Sequence, residues 1–278
     1  MPETVLLQEM TWPQVSEALA RGKTTALLAC GAIEQHGPQL PTGTDDYLGT
    51  AIAERAACIA GNALVAPTLR PGLSEHHMHF AGSFTLRPTT FVALLEDYCE
   101  SLARQGFRRI VIFPSHGGNA DTLRAHAPLL ARQFQGRCEV VVSLRAELLE
   151  RMAELLARRG VSLGRAGAHA GYTETSMMLD YRPELVRMDA AEPGRCDDEF
   201  YLPENIGRSQ TESFLHGIQT QSPNGILGDP TGSTADAGEE LLQLAAESLA
   251  EELVAEPAVP HPRPQTTLGR KPPAVPGV

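Results

Sequence analysis

Short unbroken apolar runs alternate along this chain with longer stretches in which apolar residues return every third or fourth position. Most runs end in glycine, proline or a knot of polar residues. Residues 24–33, TTALLACGAI, are apolar without alternation, which predicts a strand buried on both faces. Residues 63–67, 108–113 and 139–144 read the same way. The helical period predicts helices over 12–22, 46–60, 89–105, 119–134 and 145–159, with Thr11 as the first N-cap and Gly106 and Gly160 as stops. A helix bearing Glu174 opens at 173–176, and a last one runs over about 235–254. Segments 68–90 and 192–223 read as irregular, the second as a lid or an oligomer contact. Strands alternating with helices at this spacing predict an α/β fold with a mainly parallel sheet covered on both faces.

Composition narrows the function classes. The 278 residues are 42% apolar, which is enough for a sizeable core, and the formal charge of −11 with no basic cluster argues against nucleic acid as a partner. Five scattered cysteines without a C-x-x-C pair fit reduced thiols and a cytoplasmic location. No apolar stretch reaches the roughly 18 residues that would span a bilayer, so no membrane is expected. The last 22 residues hold seven of the 21 prolines. They predict one domain over 1–254 followed by a disordered or surface-hugging tail over 255–278.

The polar residues that carry chemistry gather after the strands. In GAIEQHGPQLPTGTDD, residues 31–46, Glu34 and His36 are two apart and point to one side of an extended backbone. Gly37, Pro38, Pro41 and Gly43 break regular structure and let the loop return with Asp45 or Asp46. Carboxylates mixed with imidazole suit zinc, manganese or iron better than calcium or magnesium. His116 follows the strand at 108–113 and precedes Gly117 and Gly118. That turn reads either as a second contribution to a metal site or as an anion-binding turn at a helix start. Both His36 and His116 fall at carboxyl ends of strands, where open α/β sheets collect ligands. His169 lies in a Gly/Ala-rich loop, Glu174 opens a helix, and His76, His77 and His79 cluster in the 68–90 loop. Adjacent His76 and His77 are expected to point apart, which favours a substrate-facing or structural role. No G-x-S-x-G, G-x-G-x-x-G or G-x-x-x-x-G-K-[ST] is present, so serine-hydrolase and nucleotide readings fail.

Taken together, GAIEQHGPQLPTGTD, GLSEHHMHFAGSFTL, SHGGN, HAGYTETS and GILGDPTGSTADAG resemble the creatininase family of metal-dependent amidohydrolases. The resemblance runs from about residue 24 to 250. It implies a three-layer α/β/α fold, two divalent ions per subunit (zinc, manganese or both), a small-molecule substrate and a homo-oligomer, often a hexamer. Carried over by position, it makes Glu34, Asp45 and His116 ligands of one ion and His36 and Asp45 ligands of the other, with Asp45 bridging. Creatininase has a glutamate where this chain has Gly118, so Glu174 is nominated as the remaining ligand and as a catalytic group. His169 matches the catalytic histidine and Ser74 a substrate-contacting serine; Glu75, His76, Gly117 and Tyr172 join Ser74 as substrate-binding candidates. The implied reaction is hydrolysis of a non-peptide C–N bond in a cyclic amide or formamide by hydroxide generated at the two ions. The same centre acting on a ring ketone or a modified peptide is the alternative, and a metal-binding protein without turnover is a third. The tryptophans that creatininase sets around its substrate have no counterpart, since the chain has only Trp12. This disfavours creatinine.

Overall fold

The computed structural model describes residues 4–201 and 211–254. The predicted tail over 255–278 lies outside them, as do residues 202–210 of the irregular segment. Four strands form one parallel sheet: β1 (Thr25–Cys30), β2 (Ala63–Val65), β3 (Arg109–Pro114) and β4 (Glu139–Val142), in the order β2-β1-β3-β4. The helices are α1 (Trp12–Ala20), α2 (Thr44–Ala60), α3 (Pro88–Gln105), α4 (Ala120–Phe134), α5 (Ala146–Arg158), α6 (Leu163–Ala166), α7 (Tyr172–Tyr181), α8 over 211–216 and α9 (Ala235–Val254).

β1 is central because every one of its residues is buried and it pairs on both sides, Thr25 with Ala63 and with Arg109, and Cys30 with Pro114. It is shorter than the apolar run that predicts it. After Cys30 the backbone turns to other partners, Gly31 N–H to the Leu69 carbonyl and Glu34 N–H to the Thr42 carbonyl, so the sheet ladder stops where the polar loop begins. The single-turn α6 had no periodic signal to announce it. Its start is capped by Ser162, whose hydroxyl accepts from the Arg165 N–H at 3.4 Å.

The fold is a three-layer α/β/α sandwich. β1–α2–β2 runs one way along the sheet, and β2–α3–β3 and β3–α4–β4 run the other. With right-handed crossovers, α2 falls on one face and α3 and α4 on the opposite one. α7 and α9 pack on α2, and α3 on α4. The strand order therefore reverses between β1 and β3, and their carboxyl ends open a crevice there. Glu34 and His36 lie just past the end of β1, and His116 just past β3. Among the described residues no helix is long and apolar enough to cross a membrane.

Leu27, Leu28, Ile110, Ile112 and Phe113 are fully buried in the two strands that flank the crevice. Leu28→Ala should lower unfolding free energy by about 2–5 kcal/mol, measured by urea denaturation. A loss well under about 1 kcal/mol would show that the core is not centred on β1.

Candidate metal centre

Three loop-to-helix junctions deliver the polar groups. The loop after β1 is folded back on itself by the Glu34 N–H to Thr42 bond at 2.9 Å and by the Thr44 hydroxyl donating to the Pro41 carbonyl at 2.8 Å. This brings Asp45, in the first turn of α2, beside Glu34 and His36. A helix start also favours the carboxylate there. His116 Nδ1 lies 3.2 Å from Glu34 Oε1 and 3.3 Å from Asp45 Oδ2. His36 Nε2 lies 3.4 Å from Asp45 Oδ1 and 3.8 Å from Glu174 Oε2, the latter from the first turn of α7. The donor atoms of Glu34, Asp45 and His116 all lie within 4.8 Å of one another, as do those of His36, Asp45 and Glu174. Asp45 belongs to both sets and offers a different oxygen to each. Asp46, equally eligible by spacing, turns away and pairs with Arg70.

Backbone carbonyls decide which ring nitrogens are bare. His36 Nδ1 sits 3.1 Å from the Glu34 carbonyl, and His116 Nε2 3.1 Å from the Leu73 carbonyl. Each far nitrogen carries a hydrogen that the carbonyl holds, so the nitrogen facing the carboxylates is the one that can give up its proton and offer a lone pair, as a metal-ligating histidine requires. His169 is arranged likewise. Its Nε2 donates to the Gln35 carbonyl at 2.7 Å, and its Nδ1 faces Glu34 Oε1 at 3.7 Å.

The donors also fit a cation by what they lack. Among the described residues, both oxygens of Glu34, Asp45 Oδ2 and His36 Nε2 are buried without a hydrogen-bond partner. Burying ionised groups in this way is expensive unless a counter-charge meets them. In the chain alone, protons fill that role. Burial opposes charge on His36, but Asp45, Glu174 and Glu34 outweigh it and raise its pKa to about 10. Burial is likewise outweighed at His116, where Glu34 and Asp45 raise the pKa well above the usual histidine range. Glu174 is pushed up to about 7, mainly by burial and against the pull of His36.

The centre opens into a cavity of about 240 Å³ lined by Glu34, Asp45, His76, His116, Gly117, His169 and Glu174, with Phe214, Ile218 and Leu227 as its apolar wall. His77 and His76 both line it, so the adjacent histidines do not diverge; a turn of 3-10 helix at Glu75–His77 brings their rings within 4.2 Å. Burial holds His76 at a pKa of about 4, and Phe214 covers its ring at 4.4 Å. Glu75 is exposed and outside the cavity lining. Ser74 is fully buried and its hydroxyl has no hydrogen-bond partner among the described residues, and Tyr172 is buried beneath Arg165; neither lines the cavity.

Position 118 has no room for a carboxylate. A Cβ there would sit 2.4 Å from His116 Nε2 and 2.5 Å from the Leu73 carbonyl oxygen, so any side chain would break the bond that orients His116.

Several working residues escaped the sequence reading. Asn119 donates to the Cys30 and Gly31 carbonyls, both at 3.0 Å, and accepts from Leu73 N–H at 3.0 Å, which ties three segments of the centre together. Its place in SHGGN was the available signal. Leu227 exchanges backbone hydrogen bonds with His169, which gives the GILGD motif its role. Gln35 sits between two candidate ligands and was overlooked because amides do not titrate.

The family model "Creatininase: Creatinine amidohydrolase" matches residues 8–253. A mycofactocin precursor peptide peptidase of Mycobacterium ulcerans (strain Agy99) is 33% identical over 242 residues, covering 83% of this chain and 80% of that protein. A solved structure named "Creatininase Mn" superposes with a TM-score of 0.74 at 25% identity, covering 90% of this chain and 98% of its own. A mutant creatininase of Zn-Zn type gives 0.73 at 26% identity, covering 90% and 97%.

Because His36 and His116 keep their protons until a cation displaces them, loading the metal-free protein at pH 8 should release roughly two protons per chain. Apparent affinity should rise with pH toward about 10, the raised value of His36. Titration calorimetry in buffers of different ionisation enthalpy measures the release; a heat independent of buffer would contradict it.

Proposed function

The chain belongs to the creatininase family and is a hydrolase acting on a C–N bond, and on that premise we propose that it works through two divalent ions held by Glu34, Asp45 and His116 on one side and His36, Asp45 and Glu174 on the other. The observation that carries this reading is the sharing of Asp45 between two buried donor sets, one oxygen to each. Nitrogen and oxygen donors together suit zinc, manganese or both. When bound, such ions lower the pKa of coordinated water from about 15.7 toward neutrality and draw charge from a carbonyl oxygen.

The chain's own residues then manage the protons. Hydrolysis adds water across the C–N bond, and the proton that water loses has to reach the departing nitrogen. His169 is the carrier. Burial and the neighbouring His36 hold its pKa well below the usual range, so it is neutral. Its bare Nδ1 faces the centre while the Gln35 carbonyl fixes the ring. The Ala170 N–H donates to Glu174 Oε2 at 2.5 Å and aims that carboxylate at His36.

A cavity of about 240 Å³ with an apolar wall suits a small cyclic amide or formamide as the substrate. Trp12, the chain's one tryptophan, is 82% exposed on α1 and does not line the cavity, which disfavours creatinine. A C–N bond in a modified peptide is the second reading, favoured by the identity with a peptide peptidase. A homo-oligomer, a hexamer by family resemblance, and a cytoplasmic setting complete the proposal; exposed Trp12 and Leu149 offer apolar surface for contacts.

His169→Ala should keep the metal content and reduce turnover by about 10²–10⁴, read by elemental analysis beside kcat; unchanged turnover would remove His169 from the mechanism. Glu174→Gln should lower occupancy of one ion, and two fully retained ions would refute its assignment. A panel of cyclic amides, formamides and short peptides, assayed before and after chelation and metal restoration, separates the two substrate readings. Full activity in protein stripped of transition ions would overturn both.

A further inference from the structure

Spacing alone offers a third set of donors at this centre, Glu34, His76 and His77, whose ligand atoms also lie within 4.8 Å of one another. The hydrogen bonds behind His77 point to a different role. The amide of Gln35 is buried and its orientation is settled by two backbone groups. Its Oε1 accepts from the Gly37 N–H at 2.9 Å and its Nε2 donates to the Gly225 carbonyl at 3.1 Å. A flipped amide would set donor against donor at Gly37 and acceptor against acceptor at Gly225. Both glycines have positive φ, 66° and 76°, and a Cβ at Gly225 would lie 2.3 Å from Gln35 Oε1, so the clamp requires glycine on each side.

One amide hydrogen remains. Two ring nitrogens lie 3.0 Å from Gln35 Nε2, His77 Nδ1 and His169 Nε2. The second is itself a donor, since it already gives its hydrogen to the Gln35 carbonyl at 2.7 Å. The remaining amide hydrogen therefore goes to His77 Nδ1, which must be bare. His77 Nε2 then carries the ring's hydrogen and faces Glu34 Oε1 at 3.4 Å. His77 is thus the reverse of His36, His116 and His169, whose far nitrogens are held as donors by carbonyls and whose other nitrogen, the one available to a cation, faces the centre.

We propose that Gln35 is a positioning residue that makes His77 turn an N–H rather than a lone pair toward Glu34, steadying that carboxylate electrostatically across 3.4 Å and closing the His76–His77 corner to a cation. The proposal rests on the reading of Glu34 as a metal ligand. Partners at one remove from a metal set the orientation of its ligands, and their loss typically costs about 10–100-fold in metal affinity or activity.

Gln35→Glu tests it, because a carboxylate in that place accepts from His77 Nδ1–H and turns the bare Nε2 toward Glu34. Metal-free Gln35→Glu titrated with Zn²⁺ should bind one of its ions about 10–100-fold more weakly than the unmodified protein, or take up an additional ion. His77→Gln, whose amide can still turn an N–H toward Glu34, should bind Zn²⁺ more tightly than His77→Ala. Solid-state 15N spectra of histidine-labelled metal-free protein, with His77 assigned by its loss in His77→Gln, should show the Nε2–H form. An Nδ1–H form, or Gln35→Glu binding the same ions with unchanged affinity, would overturn the proposal. Fewer than two ions on the unmodified protein would overturn the two-ion reading instead, and the His77 spectrum would then decide this one by itself.

Discussion

Everything at the crevice depends on an imbalance of buried charge. Glu34 is completely buried with two oxygens that no described group hydrogen-bonds, and Asp45 and His36 each contribute another orphaned atom within the same small volume. Ionised groups in such a setting cost several kcal/mol each unless opposite charge compensates. Histidines held cationic by their carboxylate neighbours supply part of that charge, and divalent ions would supply more. A structure does not keep such an arrangement for stability, because apolar residues of similar volume would serve at least as well.

Holding unfavourable groups together requires a stiff surround, and here it is built from main-chain carbonyls and side-chain amides. The Glu34, Leu73 and Gln35 carbonyls each anchor one histidine. Asn119 joins the end of β1 to the loop at Leu73, while Gln39 reaches 2.8 Å to the Ala170 carbonyl and so ties the first loop to the start of α7. Apart from the Glu34–His36 contact, these span from 43 to 134 positions of sequence. Ala170 shows what this costs, since it is held at φ 53°, a conformation disfavoured for a residue with a Cβ. There its N–H meets Glu174 and its carbonyl meets Gln39.

The same framework separates the reaction from the substrate. The carboxylates and histidines come from junctions pinned to the sheet, whereas Phe214 and Ile218 come from α8 and the turn after it, outside the strand-bearing part of the chain. Gly118 belongs to the centre in this sense. The space it leaves lets His116 reach Leu73, and Glu174 brings a carboxylate to the same crevice from another helix.

Period and punctuation were enough to show the four parallel strands, the helices between them and the loops at their carboxyl ends, because burial on both faces leaves continuous apolar runs and helix ends leave capping residues. Glu34, His36 and His116 were legible because few residue types can do their chemistry and they stood at strand ends, whereas His169 and Glu174 were nominated through the family resemblance. Folding decided what spacing left degenerate. Asp45 rather than Asp46 faces inward because α2 begins one residue before it and Arg70 draws its neighbour outward. His76 and His77 converge because a short 3-10 turn forms within the loop expected to point them apart. How the rings of His77, His116 and His169 are turned depends on carbonyls and amides contributed from far along the chain, and a linear pattern carries no record of contacts made only when distant segments close on one another.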